Sequence, residues 1–227
     1  MPKSYTSMHM ANTSNKHKKK KLKNIGLVVL IIVLVGSFVI SQSSNSIDPA
    51  SFADVETFEL EARVKGNPEA EITLVKYSDF QCPACAQAYP AVKELVESFG
   101  DQFSFEYRHY PLRSLHPNAQ LAAQAAEAAG IQGKFWEMHD LLFEQQQDWA
   151  QSLNPKKVFT AYAEELGLNT DRFKYDLNSD EVKLKVNTDT DDALERGLRS
   201  TPSFLINGEP SRLEDFVPLL DISSLEE

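Results

Sequence analysis

Hydrophobic and polar residues alternate along the chain in patterns that predict strands and helices. Residues 72–77 (ITLVKY) form a short, apolar, β-branched run typical of a buried strand, and residues 103–109 (FSFEYRH) alternate as a second strand would. Between them, apolar residues recur at spacings of three and four from Pro83 to Gly100, which predicts a helix. A half-buried strand over 58–61 is predicted before this unit. The strand-helix-strand order requires a right-handed crossover between two parallel strands.

A block of helical periodicity follows the second strand, over about 116–178. Its helices are bounded by proline, glycine and asparagine residues, which commonly begin or end helices. The predicted helices lie between Pro117 and Gly130, over 135–143, between Asn154 and Gly167, and over 169–177, and a longer helix is predicted over 179–197.

The C-terminal part of the chain returns to strand periodicity. Residues 203–206 (SFLI) predict a strand, and Asn207 and Gly208 are a hairpin signal. Pro210 interrupts the strand that follows, so that edge of the sheet is expected to be short. A last amphipathic helix is predicted over 213–220. The pattern as a whole predicts an α/β fold with one sheet.

The N-terminal part of the chain is a candidate membrane-targeting segment. Residues 1–24 contain seven lysines and no acid, and the apolar segment 25–41 follows them. Its sixteen-residue core, 25–40, is intermediate between the roughly 7–15 residues of a signal-peptide core and the about 20 of a comfortable membrane span. An uncleaved anchor, which the long Leu/Ile/Val stretch favours, and a cleaved signal peptide both remain open. Residues 42–54 are predicted to form a flexible tether and 55–227 the exported domain.

The distribution of charge argues against nucleic acid as a partner. Beyond the lysine-rich tail, the chain carries 16 basic and 33 acidic side chains. Nucleic-acid binding needs clustered lysine and arginine side chains that displace counterions from phosphates, and the exported part lacks such an excess.

The only two cysteines of the chain, Cys82 and Cys85, are the strongest chemical signal. They follow the first buried strand directly and coincide with the predicted start of a helix, where the helix dipole stabilises a thiolate. A disulfide that closes so short a loop stabilises a fold little, so a redox role explains the pair better. Cys85, three residues further along the helix, is expected to be the more buried thiol and to resolve a mixed disulfide that Cys82 begins.

A zinc site is the main alternative for this cysteine spacing. Structural zinc needs two further ligands, usually a second cysteine pair or two closely spaced histidines. There is no third cysteine, and we interpret His109, His116 and His139 as packing or surface residues. We therefore expect neither a metal nor another cofactor.

The sequence resembles the DsbA-like branch of the thioredoxin superfamily over about residues 55–220. The stretches that carry the resemblance are LVKYSDFQCPAC, YRHYPLRSLHPNAQLAAQAAEAAGIQGKFWEMHDLLF and GLRSTPSFLING. The resemblance implies a thioredoxin-like fold with an inserted helical domain, with Cys82 as the nucleophile and Cys85 as the resolving thiol. It also implies that Pro202 is a cis-proline whose loop, with the backbone of Thr201, binds the substrate peptide. The dipeptide between the cysteines, Pro83 and Ala84, is expected to tune the redox potential.

Three features depart from the family pattern or carry a second interpretation. Lys76 occupies a position where family members often have a buried acid; we interpret it as a lysine whose ammonium reaches solvent, although it could instead favour a nearby thiolate. Asp79 is interpreted as a turn residue. Asp189, Asp191 and Asp192 are interpreted as a solvated helix face.

The function predicted from these observations is that of a monomeric thiol oxidase that donates its disulfide to exported cysteine-containing proteins. A membrane partner would reoxidise it. The domain is expected outside the cytoplasm, either anchored to a bacterial cell membrane or released into the periplasm or medium after cleavage. A disulfide isomerase or reductase is the close alternative, and a non-catalytic exported chaperone or metal-binding module is the alternative of a different class.

Overall fold

The computed structural model describes residues 63–221. The predicted basic tail (1–24), membrane-targeting segment (25–41), tether (42–54) and first strand (58–61) lie outside the described residues. Within 63–221, no helix combines the length and the apolar character that a membrane span requires.

A single mixed sheet forms the centre of the described domain. Its strands, in chain order, are β1 (Arg63–Gly66), β2 (Ile72–Ser78), β3 (Phe103–His109), β4 (Ser203–Ile206) and β5 (Glu209–Ser211). They are arranged in the order β1-β3-β2-β4-β5. The pair β2 and β3 is parallel, as the crossover predicts, and the other neighbouring pairs are antiparallel. The central strand β2 is therefore hydrogen-bonded to a neighbouring strand on each edge.

Seven α-helices accompany the sheet in the described part of the chain. They are α1 (Pro83–Phe99), α2 (Ala119–Gly130), α3 (Phe135–Glu144), α4 (Gln146–Trp149), α5 (Pro155–Glu165), α6 (Thr170–Asp176) and α7 (Asp180–Glu195). The helix α1 connects β2 to β3, and the other six lie between β3 and β4. The mixed α/β, thioredoxin-like fold with additional helices agrees with the predicted fold class.

The side chains of β2 contribute to two cores, one on each face of the sheet. Leu74 belongs to the larger core, which α1 and the helices between β3 and β4 complete. Tyr77 belongs to a smaller core with Ala193 of α7 and Leu198. Because successive residues of a strand point to opposite faces, Lys76 lies on the same face as Leu74.

The prediction of an amphipathic helix over 213–220 is wrong. The chain forms two short 3-10 helices there, Leu213–Asp215 and Val217–Leu219. Pro218 explains the difference, because proline lacks a backbone donor and disfavours helical geometry at the preceding residue.

The interpretation of the aspartates of α7 as a solvated face is wrong for two of the three. Asp189 is buried, with its Oδ1 2.6 Å from Lys185 Nζ, and it accepts a hydrogen bond from the backbone N–H of His109 at 3.0 Å. Asp192 pairs with Arg108 at 2.8 Å on β3. Asp191 alone is exposed. The helix packs beside the end of β3, where a carboxylate can bind a strand N–H that has no strand partner.

Candidate active site

Cys82 lies between the carboxyl end of β2 and the first turn of α1. It is the N-cap residue of α1, with extended backbone angles (φ −70°, ψ 123°), and Pro83 begins the helix. Proline suits this position because its fixed φ is helical and its missing N–H would have no partner there. The backbone N–H of Cys82 donates to the carbonyl of Asp79 at 3.1 Å, which fixes the turn that delivers the thiol to the end of the sheet.

Cys85 lies one turn along α1, and both cysteines are free thiols. Cys82 is 6% exposed and Cys85 is fully buried. The hydrogen bond from Cys85 stabilises the Cys82 thiolate most, and burial opposes this effect. Further hydrogen bonds from Thr201 and from the backbone of Cys85 and Ala84 also stabilise the thiolate. Together they lower the pKa of Cys82 to about 5. Burial above all raises the pKa of Cys85 far above that of a free thiol. The environment therefore favours a thiolate at Cys82 and a protonated thiol at Cys85.

We expect alkylation to distinguish the two thiols of the reduced protein. At about pH 6, iodoacetamide should modify Cys82 at least about tenfold faster than Cys85, because the thiolate is the reacting species. The rate at Cys82 should rise with pH around a midpoint well below the about 8.5 of an unperturbed thiol. Mass spectrometry of the peptides from a time course measures both rates, and equal rates would contradict the assignment of Cys82 as the nucleophile.

A loop before β4 faces the cysteine pair. The peptide bond between Thr201 and Pro202 is cis, which confirms the geometry that the family resemblance implies. The Cys82 Sγ lies 3.4 Å from the carbonyl oxygen of Thr201. The loop therefore lies directly beside the Cys82 thiol.

The turn before Cys82 is held by Asp79, whose role is larger than that of a turn residue. Its buried carboxylate accepts hydrogen bonds from the backbone N–H groups of Gln81 at 2.7 Å and Leu112 at 2.9 Å. It also contacts Nδ1 of His116 at 2.7 Å. The carboxylate thus ties the cysteine loop to the loop that follows β3.

Two glutamines that the sequence analysis did not single out connect the cysteine loop to the helices between β3 and β4. Gln81 donates to the carbonyl of Ala150 at 2.6 Å and accepts from the backbone N–H of Asn118 at 2.7 Å. Gln146 donates to the carbonyls of Phe80 at 2.7 Å and Cys82 at 3.1 Å. No local pattern marks Gln146, because it acts on residues more than sixty positions away.

Lys76 does not reach solvent, and the interpretation that it does is wrong. Only 1% of the residue is exposed, and its Nζ lies 4.8 Å from the centre of the Phe143 ring. Burial is the main cause that lowers the pKa of Lys76 to about 8, while negative charge on the cysteine pair acts in the opposite direction. The strand parity that puts Lys76 on the core face explains this burial.

The three histidines on which a metal site would depend are packed within the domain. His109 Nε2 lies 2.8 Å from Glu127 and His139 Nδ1 lies 2.8 Å from Asp140. Among residues 63–221, no three histidine, cysteine or carboxylate side chains are grouped so that they could bind a metal ion. The histidines are packing residues with acidic partners.

Sequence comparison relates the chain to a thioredoxin family and to much longer proteins. A thioredoxin family model matches residues 59–221. Among curated proteins, Na(+)/H(+) antiporter NhaA 1 of Salinispora arenicola is 46% identical over 145 residues, which are 64% of this chain and 21% of that protein. The chain thus spans about a fifth of the length of the curated relatives that it matches first.

Solved structures share the fold. A thioredoxin-like oxidoreductase from Silicibacter pomeroyi DSS-3 is 30% identical, with a TM-score of 0.59, and the match covers 70% of this chain and 91% of that one. The α-DsbA1 protein of Wolbachia pipientis is 20% identical, with a TM-score of 0.59, and the match covers 70% of this chain and 88% of that one. Because the family model spans most of the chain, these findings show that the protein belongs to the thioredoxin family.

Proposed function

We propose that the protein is a thiol oxidase that transfers the disulfide of Cys82 and Cys85 to exported cysteine-containing proteins. The observation that carries this proposal is the contrast between the two thiols at the start of α1, one stabilised as a thiolate and one buried as a thiol. A low pKa of Cys82 stabilises the reduced form, and a stabilised reduced form makes the disulfide a stronger oxidant. This favours oxidation over reduction.

In the proposed cycle, a client thiolate attacks Cys82 Sγ of the enzyme disulfide. The bond between Cys82 and Cys85 breaks, and Cys85 leaves with the electron pair and takes up a proton. A second client thiolate then attacks the client sulfur that is bound to Cys82, which leaves as a thiolate. The client gains one disulfide and the enzyme becomes a dithiol, so two electrons pass from client to enzyme. Cys82 is the better leaving group in the second step because its pKa is low.

In this proposal, other residues bind the client or set the reduction potential of the cysteine pair. Pro202 and the backbone of Thr201 would bind the client chain beside Cys82. Pro83 and Ala84, which are exposed between the two cysteines, would tune the stability of the reduced form. The reactions need no cofactor, and a membrane thiol oxidase would restore the disulfide. The domain would work as a monomer outside the cytoplasm, with the N-terminal segment as its membrane anchor.

The reduction potential of the purified full-length protein, measured in glutathione buffers, tests the direction of transfer. Strong oxidants of this superfamily lie near about −120 mV and reductants near about −270 mV, and we expect a value towards the former. The oxidised protein should also restore activity to a reduced, unfolded client with two cysteines. A potential near the reductants, with rapid reduction of insulin, would indicate a reductase. If the protein still prevented aggregation of an unfolded client after both Cys82 and Cys85 were replaced by serine, it would be a binding module.

A further inference from the structure

Lys76 is a buried lysine without an acidic partner. It lies in the middle of the central strand on the core face, next to Leu74, and no carboxylate oxygen in the described part of the chain lies within ion-pair distance of its Nζ. Burial of an unpaired charge is costly, and an apolar residue would suit the site better if only packing mattered. Lys76 therefore lowers the stability of the fold, and packing alone does not explain why a lysine is present at this position.

A small cavity of about 30 Å³ lies beside Lys76 and is lined on its far side by residues at the surface of the domain. This volume is large enough for a water molecule, which needs roughly 10–15 Å³. The titratable side chains that line the cavity with Lys76 are Lys65, Tyr89, Lys93, Glu97, His139 and Asp140. Because Glu97 is exposed and Lys93 is half-buried, the cavity provides a route between the ammonium and solvent.

Three of the other titratable side chains that line the cavity, His139, Asp140 and Lys93, already have ionisable partners. Asp140 lies 2.8 Å from Nδ1 of His139 and 3.5 Å from Lys93 Nζ, and Lys93 also binds Glu144 at 3.0 Å. The pKa of His139 is lowered to about 4, by burial first and also by the charge of Lys76, so His139 is neutral near neutral pH. The Nε2 of His139 is buried without a hydrogen-bond partner in the described domain and can bind a water molecule in the cavity.

The face of the sheet that carries Lys76 and Leu74 packs into the same core as Cys82 and Cys85. The negative charge that the reduced cysteine pair carries favours the ammonium form of Lys76, whereas burial, the larger effect, opposes it. Tyr107, the partner of Lys76 on β3, is also buried, and burial raises its pKa well above 10, so it is uncharged near neutral pH. When Cys82 and Cys85 form a disulfide, their negative charge disappears and only the effect of burial remains. The affinity of Lys76 for a proton must then fall.

We propose that Lys76 is a redox-linked proton carrier, which takes up a proton through the cavity when the cysteine pair is reduced and releases it when the disulfide forms. The inference rests on the proposed function, because it needs a pair that cycles between disulfide and dithiol. On reduction, two electrons break the S–S bond, one proton binds Cys85 and a second binds Lys76, while Cys82 remains a thiolate. Oxidation reverses each of these steps.

The pH dependence of the reduction potential tests the proton count. Near neutral pH, one proton per two electrons gives about 30 mV per pH unit, and two protons give about 59 mV per pH unit. The wild-type full-length protein should show the steeper slope over an interval below about pH 8, where only its reduced form protonates Lys76. Lys76→Met should show about 30 mV per pH unit throughout this interval.

Two further variants separate a proton carrier from a fixed charge. Lys76→Arg keeps a positive charge that cannot be released, so it should also show the one-proton slope. Lys93→Met changes another lysine of the same cavity that already has acidic partners, and it should retain the two-proton slope. Circular dichroism and thermal unfolding should show that each variant is folded, and Lys76→Met should unfold at no lower temperature than the wild type because it removes a buried charge.

The result that overturns this inference is a one-proton slope in the wild type, or a two-proton slope that survives Lys76→Met. Both outcomes can occur in a protein that still oxidises clients, and the proposed function would then stand. Conversely, a wild type that equilibrates with glutathione along the expected slopes but fails to exchange with protein clients would contradict the proposed function and leave the proton count intact.

Discussion

The Cys85→Ser variant is expected to accumulate mixed disulfides between Cys82 and client proteins, whereas Cys82→Ser is expected to form none. In Cys85→Ser, the Cys82 thiolate attacks a disulfide that the client already has, one client sulfur leaves as a thiolate, and a mixed disulfide forms. The enzyme thiol that would release this client by forming the enzyme disulfide is Cys85, one helical turn away, and it is missing. Serine fits the same space but cannot attack a disulfide. In Cys82→Ser, the remaining thiol is fully buried and its pKa is far above that of a free thiol, so it cannot begin the reaction. Disulfide transfer in both variants should fall to the uncatalysed background.

Non-reducing gels of cells that express each variant measure this difference, and mass spectrometry of the adducts identifies the enzyme sulfur that is linked. Ala91→Ser is a matched control, because it introduces the same side chain at an exposed position of α1 and removes no thiol. It should not trap clients. Adducts through Cys85 in Cys82→Ser would show that the order of the two cysteines is wrong, and an absence of adducts in Cys85→Ser would contradict the two-step cycle.

The position of the cysteine pair could be predicted because local signals determine it. A β-branched run, a turn and a proline at the first position of a helix lie within fifteen residues, and together they place Cys82 at the end of β2. The cis bond before Pro202 has no comparable local signal, since roughly 5% of X-Pro bonds in folded proteins are cis. The family resemblance predicted it, and Pro202 alone would not have done so.

The burial of polar residues was harder to predict, although two of them left a trace in the sequence. Lys76 is two residues from Leu74 in a buried strand, and the period of two places both on one face. Around Glu127, alanines cover every face of α2, which indicates a helix that is packed on all sides. Gln146 left no trace, because its partners on the cysteine loop are distant in sequence and meet it only in the folded chain.

Glu127 is the centre of a buried charge cluster between β1, α2 and β3. Its side chain is fully buried; Oε1 lies 2.8 Å from Nε2 of His109, and Oε2 accepts a hydrogen bond from Nε of Arg63 at 3.1 Å. Burial opposes ionisation of Glu127, but the hydrogen bonds and charges of His109 and then Arg63 outweigh it and lower the pKa from 4.5 to about 2. The carboxylate therefore stabilises the fold wherever it is charged.

We expect Glu127→Gln to lower the free energy of unfolding at neutral pH by about 3–5 kcal/mol, because removing one partner leaves buried charges uncompensated. For a domain of this size, the unfolding temperature should fall by roughly 10 °C. Glu137→Gln is the matched control: Glu137 pairs with Lys134 at the surface, where an ion pair contributes at most about 1 kcal/mol. Calorimetry or urea unfolding measures both variants, and equal losses would contradict the role of burial.

The pH dependence of the same variant checks that charge is the cause. A carboxyl group whose pKa is lower in the folded state stabilises the fold above its unfolded pKa, and this contribution disappears as the pH falls towards the folded value. The difference in stability between the wild type and Glu127→Gln should therefore be constant at neutral pH and shrink as the pH falls from about 4.5 to about 2. A difference that stayed constant over this range would mean that the shape of the side chain, and not its charge, holds β1 and β3 against α2.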